Sequence, residues 1–170
     1  MKSFIFSLLG AAVIVAGFKL SPAPPIEVLF SPKGGIEKRV VQEINNASKK
    51  IIVEAYTLTN KNIINALLQA KKRNVNITIV LDGKYGVQSS EKYLTDLKDD
   101  LLIDSQESSH GGISHIKCII IDDTLAMTGS FNWTGQAETK NHEDIFIITS
   151  QAEVKKLIDD AQKHIAHSTK

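Results

Sequence analysis

The sequence predicts an α/β fold, a single domain built on a mixed β-sheet flanked by helices on both faces. Two observations carry this. Short apolar runs alternate with stretches whose apolar residues recur at helical spacing, the pattern of strands joined through helices. The stretch "KCIIIDDTLAMTG" sets Asp122 and Asp123 between two apolar runs, a hairpin that puts antiparallel strands into the same sheet. No internal repeat or second domain interrupts the pattern.

The elements follow in order. Ile26 to Phe30 reads as a short strand, then "SPKGG" leads into a helix from about Ile36 to Ser48. Its residues Ile36, Val40, Val41, Ile44 and Ala47 fall on one helical face. Ile51 to Thr57 is a strand. Asn60 caps a helix that runs to Arg73 and carries Ile63, Ile64, Leu67 and Leu68. Val75, Ile77 and Ile79 alternate along the next strand, which ends at Gly83. A polar helix from about Ser89 to Lys98 leads to the short strand Leu101 to Asp104. The strand bearing His115, its partner Leu125 to Thr128, the strand Asp144 to Thr149 and a helix from about Ala152 to His167 complete the chain.

Composition bounds the function. The chain has 170 residues, 42% of them hydrophobic and 23% charged, which is ordinary for a globular domain. A net charge of +1 gives no whole-molecule attraction to nucleic acid, so any grip on phosphate has to be local. The single cysteine, Cys118, excludes an intrachain disulfide and a cysteine zinc cluster, and its apolar neighbours make it a core residue. Lys2, the apolar run Ser3 to Phe18, and then Lys19 and "SPAPP" have the order of a secretory signal. Residues 1–20 are expected to be a signal peptide or an uncleaved membrane anchor, and residues 21–170 the domain. Either way the domain is expected to be exported to the periplasm, membrane-associated where the segment is retained.

The chemistry concentrates in "SHIKCIIIDDTLAMTGSFNWTG". His115, Lys117, Asp122, Gly129, Ser130 and Asn132 form the pattern H-x-K-x4-D-x6-G-S-x-N. Side chains two apart on a strand share a face, so His115 can stand beside Lys117, and Ser130 beside Asn132 where the chain returns. Lys117 offers positive charge, and Ser130 and Asn132 offer neutral hydrogen bonds. A transition state with charge spread over phosphoryl oxygens needs that combination. His115 is the one group of the four suited to nucleophilic attack near neutral pH. Glu143, at the start of the next strand, could hold the far imidazole nitrogen and fix its tautomer.

This pattern resembles the HKD signature of the phospholipase D superfamily. The resemblance extends over "IEVLFSPKGG", "IIVEAYTLTNKNIINALLQAKKRNVNITIVLD" and "GSFNWTGQAETKNHED", stretches similar to the small bacterial Nuc-type endonucleases. It implies a metal-independent phosphodiesterase with a phosphohistidine intermediate and no cofactor. It also implies that His115 is the nucleophile, that Lys117 and Asn132 bind phosphate with Ser130 in the same pocket, and that Glu143 orients the histidine. Asp122 is the signature aspartate of the catalytic set, expected to hold its loop and not to touch substrate.

Several readings stay open on the sequence. DNA, with RNA as a second polymer, is the expected substrate. A phospholipid headgroup and a non-catalytic nucleic-acid-binding role are the alternatives. Candidate nucleic-acid contacts are Lys33, Lys84, Tyr85 and Lys140, with Trp133 as a stacking platform. His142 reads as an exposed loop residue, His110 as part of a polar connector, and His164 and His167 as surface. Two-metal nucleases need several carboxylates around the scissile phosphate, and the motif has a lysine and neutral donors there instead, so no catalytic metal is expected. Asp159, Asp160 and His164 could hold a stray divalent ion on the last helix. A phosphohistidine route needs one histidine to attack and another to protonate the leaving oxygen. With one motif in the chain, a homodimer with a composite active site is expected.

Overall fold

The computed structural model describes residues 26–105 and 111–170. The predicted signal or anchor segment and His110 lie outside the described residues. Among the described residues seven strands form one sheet in the order β1-β7-β6-β5-β2-β3-β4. They are β1 (Ile26–Ser31), β2 (Lys50–Ala55), β3 (Asn76–Asp82), β4 (Leu101–Asp104), β5 (Lys117–Ile121), β6 (Leu125–Gly129) and β7 (Glu143–Ile148). The pairs β2–β3 and β3–β4 are parallel and all other pairs antiparallel, so the sheet is mixed, as expected.

Helices cover both faces. On one face lie α1 (Ile36–Asn46) and α2 (Lys61–Lys72). Ile36, Val40 and Ile44 of α1 and Ile63 and Leu67 of α2 are buried against Val53, Ile79, Ile119, Met127 and Ile145 from the strands. The N-terminus of α2 forms where predicted, because the Asn60 side chain accepts from the Asn62 and Ile63 N–H groups. A short α4 (Gly135–Thr139) leads from β6 towards β7, and on the other face of the sheet lies α5 (Gln151–His167), with Val154 and Ala161 packed on Ile52, Cys118, Ile120 and Ala126. Its outward side carries the pairs Lys155–Asp159, Lys156–Glu153 and Lys163–Asp160. Sandwiched between the helix layers, β5 is buried at every residue, which is why its sequence is an unbroken apolar run after Lys117.

One element differs from the sequence expectation. In place of a helix from Ser89 to Lys98, a short α3 (Tyr85–Ser90) is followed by 3-10 turns at Glu91–Tyr93 and Thr95–Asp100. The helix starts early because the Asp82 carboxylate accepts from the N–H groups of Lys84, Tyr85 and Gly86. Beyond it, Leu94 and Leu97 are buried three apart, the spacing a 3-10 turn places on one side.

Candidate active site

The signature residues gather at one end of β5 and β6. β5 begins at Lys117, two residues later than His115, so the histidine stands just outside the sheet and is exposed. The last pairing before it is the Tyr56 N–H to the Ile116 carbonyl, 3.0 Å. Lys117 is buried, and its Nζ folds back to donate to the His115 carbonyl at 2.6 Å. Tyr56 braces both groups. Its ring stands edge-on to the imidazole with centroids 4.5 Å apart, and the Lys117 Nζ lies 5.2 Å from its centre. Behind His115, the Ser114 N–H donates to Asp82 Oδ2 at 2.9 Å, so the buried carboxylate that caps α3 also fixes the loop carrying the histidine.

The β6 side is built by close approach. A side chain on Gly129 would meet the Asp144 carbonyl oxygen at 2.5 Å, so only glycine lets β6 lie this near β7. Ser130 follows at once. Its N–H donates to Asp144 Oδ1 at 2.9 Å and its hydroxyl donates to Glu143 Oε2 at 2.6 Å. Glu143 Oε1 accepts from Asn141 Nδ2 at 2.9 Å. Asn132 sits between Phe131 and Trp133, both wholly buried, which anchor the loop from either side. The Asn132 Oδ1 is buried with no hydrogen-bond partner among the described residues, a polar group left open at the site.

Electrostatics fit these placements. Burial, and then the Lys117 charge, hold His115 below the usual imidazole range, against an upward pull from Asp82. The ring is therefore neutral, with a free lone pair, at pH 7. Burial brings Lys117 down to about 8, partly opposed by the charge of Glu143. Asp82 is pushed up by burial, but the N–H donors of Ser114, Tyr85, Gly86 and Lys84 outweigh this and hold it below the usual carboxylate range.

Several expectations need correction, but not the loop-holding place read for Asp122. It follows the far end of β5, where Oδ2 accepts from the Ser48 N–H and hydroxyl and Oδ1 from the N–H groups of Lys49 and Lys50. Among the described residues no hydrogen bond joins Glu143 to His115; the Glu143 oxygens accept from Ser130 and Asn141 instead. Trp133 cannot stack on a base. It is fully buried, and its Nε1 donates to the Glu54 carbonyl at 3.1 Å. His164 and His167 are not surface residues either. His164 Nδ1 lies 2.6 Å from the buried Glu54 Oε1, and His167 Nε2 lies 3.1 Å from the buried Asp104 Oδ1. With His164 so engaged, and Asp159 and Asp160 each held by a lysine, those three do not form a cation site. Among the described residues no three His, Cys, Asp or Glu side chains are grouped to hold a metal. His142 is exposed, as read from the sequence.

Comparison with known proteins places this geometry. The family model described as "Cardiolipin synthase, PLD-like domain" matches residues 40–165. The chain belongs to the phospholipase D family. Among the solved structures of that family, Nuc from Salmonella typhimurium superposes with a TM-score of 0.76 at 31% identity, covering 85% of this chain and 95% of Nuc. A Rickettsia prowazekii protein named phospholipase D is 34% identical over 87% of this chain and 71% of its own length. The mitochondrial cardiolipin hydrolase of Xenopus laevis is 26% identical over 79% of this chain and 60% of its own. The two curated relatives thus carry lipid-directed names, and the solved structure is described as a phospholipase D family member.

Residues that the sequence reading missed are Tyr56, Glu54, Asp82 and Asp144. Glu54 was signalled by "IIVEAY", since an acid inside an apolar strand requires a partner. His164 and His167, three apart on one helix, were the place to look.

Proposed function

We propose that this protein is a metal-independent phosphodiesterase that cleaves nucleic acid, DNA foremost and RNA as well, through a covalent phosphohistidine on His115. The observation that carries the reading is the pairing of an exposed, neutral imidazole with a buried ammonium two residues away. A ring nitrogen of His115 attacks phosphorus, forming an N–P bond as the P–O bond to the leaving oxygen breaks. Lys117, Ser130 and Asn132 receive the charge on the non-bridging oxygens. A second histidine gives its proton to the leaving oxygen, then takes one from the water that breaks the N–P bond. Glu143 acts through Ser130, holding the hydroxyl in place.

The second histidine is supplied by a second copy of the chain. Among the described histidines other than His115, His142 is exposed in the turn before β7, while His164 and His167 are committed to carboxylates under α5. A twofold homodimer brings a second His115 to the same cleft and adds a second Lys117.

Nucleic acid is favoured over lipid because the rim carries exposed cations and an aromatic ring. Lys84 and Tyr85 are exposed on the Asp82 side, and Lys33 and Lys140 on the Glu143 side. The names of the Rickettsia and Xenopus relatives support the lipid headgroup as the second reading. Incubation with plasmid DNA, RNA and phosphatidylcholine vesicles, with and without EDTA, tests both. Polymer cleavage unchanged by EDTA is expected. Loss of cleavage in EDTA, restored by Mg2+, would overturn metal independence. Headgroup release without DNA or RNA cleavage would establish the lipid reading.

A further inference from the structure

Among the described residues Lys117 is the one buried lysine, 4% exposed, and its charge is held in an unusual way. A buried ammonium is ordinarily paired with a carboxylate, because taking it out of water is costly. Elsewhere in this chain Lys50, Lys71, Lys155, Lys156 and Lys163 each pair with an acid. Among the described residues no carboxylate pairs with the Lys117 Nζ, and Glu143 acts on it only through its charge. The Nζ donates to the His115 carbonyl at 2.6 Å and stands over the Tyr56 ring, 5.2 Å from its centroid.

The backbone sets that ring in place. Tyr56 follows directly on β2, whose ladder with β5 ends at the pair Ala55 and Lys117. Its N–H donates to the Ile116 carbonyl at 3.0 Å, fastening it to the residue between His115 and Lys117. The imidazole lies 4.5 Å from the Tyr56 ring between centroids, and the Tyr85 ring of α3 packs on it at 6.1 Å.

We infer that Tyr56 is a positioning residue whose ring is the neutral counter-partner of Lys117, stabilising the ammonium without cancelling the charge that the phosphoryl oxygens need. The inference rests on the phosphodiesterase reading above and adds a residue to its site. An ammonium has three N–H donors, and the His115 carbonyl takes one. A carboxylate in place of the ring would take another, and its full negative charge would repel the substrate phosphate. An aromatic face attracts a cation through its quadrupole and carries no net charge. It therefore supports Lys117 and leaves the remaining donors for substrate. The same ring limits the swing of His115, so the attacking nitrogen and the ammonium keep one spacing.

The variants Tyr56→Phe, which keeps the ring, and Tyr56→Leu, which keeps only an apolar side chain, test this. The Lys117 ammonium is titrated in the free full chain by NMR of isotope-labelled lysine, and kcat and KM for plasmid cleavage are followed against pH. In Tyr56→Leu the Lys117 titration and the alkaline break of the profile should fall together by about 0.5–1 pH unit. The kcat should drop about tenfold with KM changed less than about threefold. Tyr56→Phe should keep the Lys117 titration and recover most of kcat. Should Tyr56→Leu fold poorly, trifluorophenylalanine at position 56 keeps the shape of the ring and removes its negative face, and the same fall is expected. A Lys117 titration unmoved in the leucine and fluorinated variants would overturn the inference, even with a lowered melting temperature, since packing alone would then explain Tyr56. A Tyr56→Phe protein as impaired as Tyr56→Leu would overturn it too, by moving the role to the hydroxyl. A wild type that cleaves no nucleic acid would overturn the proposed function instead, and the NMR titration would still decide for or against the ring.

Discussion

The two ends of β5 belong to one sequence motif and have opposite characters. At its start, His115 is exposed and its ring donates to no carboxylate among the described residues, while Lys117 is buried and held at reduced basicity. At its finish, Asp122 has four hydrogen bonds into the turn before β2 and a backbone in the left-handed region, with φ 51°. One end leaves polar capacity open, and the other uses all of it. A buried strand explains why both must be present: it is a rigid rod whose position is set at the far end, so that its near end can present two groups in fixed relation. The comparison teaches that a motif residue need not be a site residue.

The sharpest way to break the comparison is at the open end. His115→Ala should lower turnover by about 10³-fold or more, because the nucleophile and its covalent route are both removed. Its melting temperature should stay near the wild-type value, since the ring is exposed and, among the described residues, meets only the edge-on Tyr56 ring and makes no hydrogen bond. A retained activity above a few per cent would move the nucleophile elsewhere. Lys117→Met should cost about 10²–10³-fold, the scale for removing one preorganised charge donor. Methionine keeps the buried stem, so the loss should appear in the chemical step and not in folding. Single-turnover kinetics beside a urea melt separate the two.

The same contrast explains what the sequence discloses. β2, β3 and the helix caps are readable because period and capping chemistry are local, and Asn60 is a good instance. The convergence of His115, Lys117, Ser130 and Asn132 is readable because strand alternation fixes which side chains share a face. Tyr56 and Asp82 are not, since their contacts to His115 and Ser114 come from strand neighbours far apart in sequence. Trp133 shows the reverse error. An aromatic ring beside a phosphate-binding asparagine suggests base stacking, but here the ring is the peg that holds the loop to β2. His164 and His167 look like surface because their neighbours on α5 are charged, and only the buried acids opposite them, on β2 and β4, reveal their role.

A smaller effect sharpens the open end by pH. Activity needs one His115 neutral to attack, the second copy's His115 protonated to donate, and Lys117 charged. It should peak near the imidazole value, held below its usual range, fall on either side of it, and fall more steeply as pH passes about 8, where Lys117 loses its proton. A pH profile of kcat/KM should therefore be bell-shaped with a second break on its alkaline side. The variant Lys117→Arg should lose the fall near pH 8 whatever activity it keeps, because guanidinium does not titrate there. An alkaline limb unmoved in that variant would assign it to another group.

The smallest effect on activity is expected at the closed end. Burial pushes Asp122 up, but the hydrogen bonds from Lys50, Ser48 and Lys49 outweigh it, so its carboxyl is held below the usual range in the folded protein. A carboxyl held low in the fold contributes stability that is complete above its unfolded value, near pH 4, and is lost as pH falls through the folded value. Asp122→Ala should therefore destabilise the protein by about 1–3 kcal/mol at pH 7, the range for removing a shared acceptor from several donors. The difference from wild type should shrink as pH falls below about 4. Turnover per folded molecule at 25 °C should match wild type, since no contact of Asp122 reaches His115 or Lys117. A urea denaturation series at pH 7 and pH 3, with activity measured on the same preparations, gives both readings. If turnover fell with stability unchanged, Asp122 would belong to the chemistry after all, and the two ends of β5 would have to act as one site.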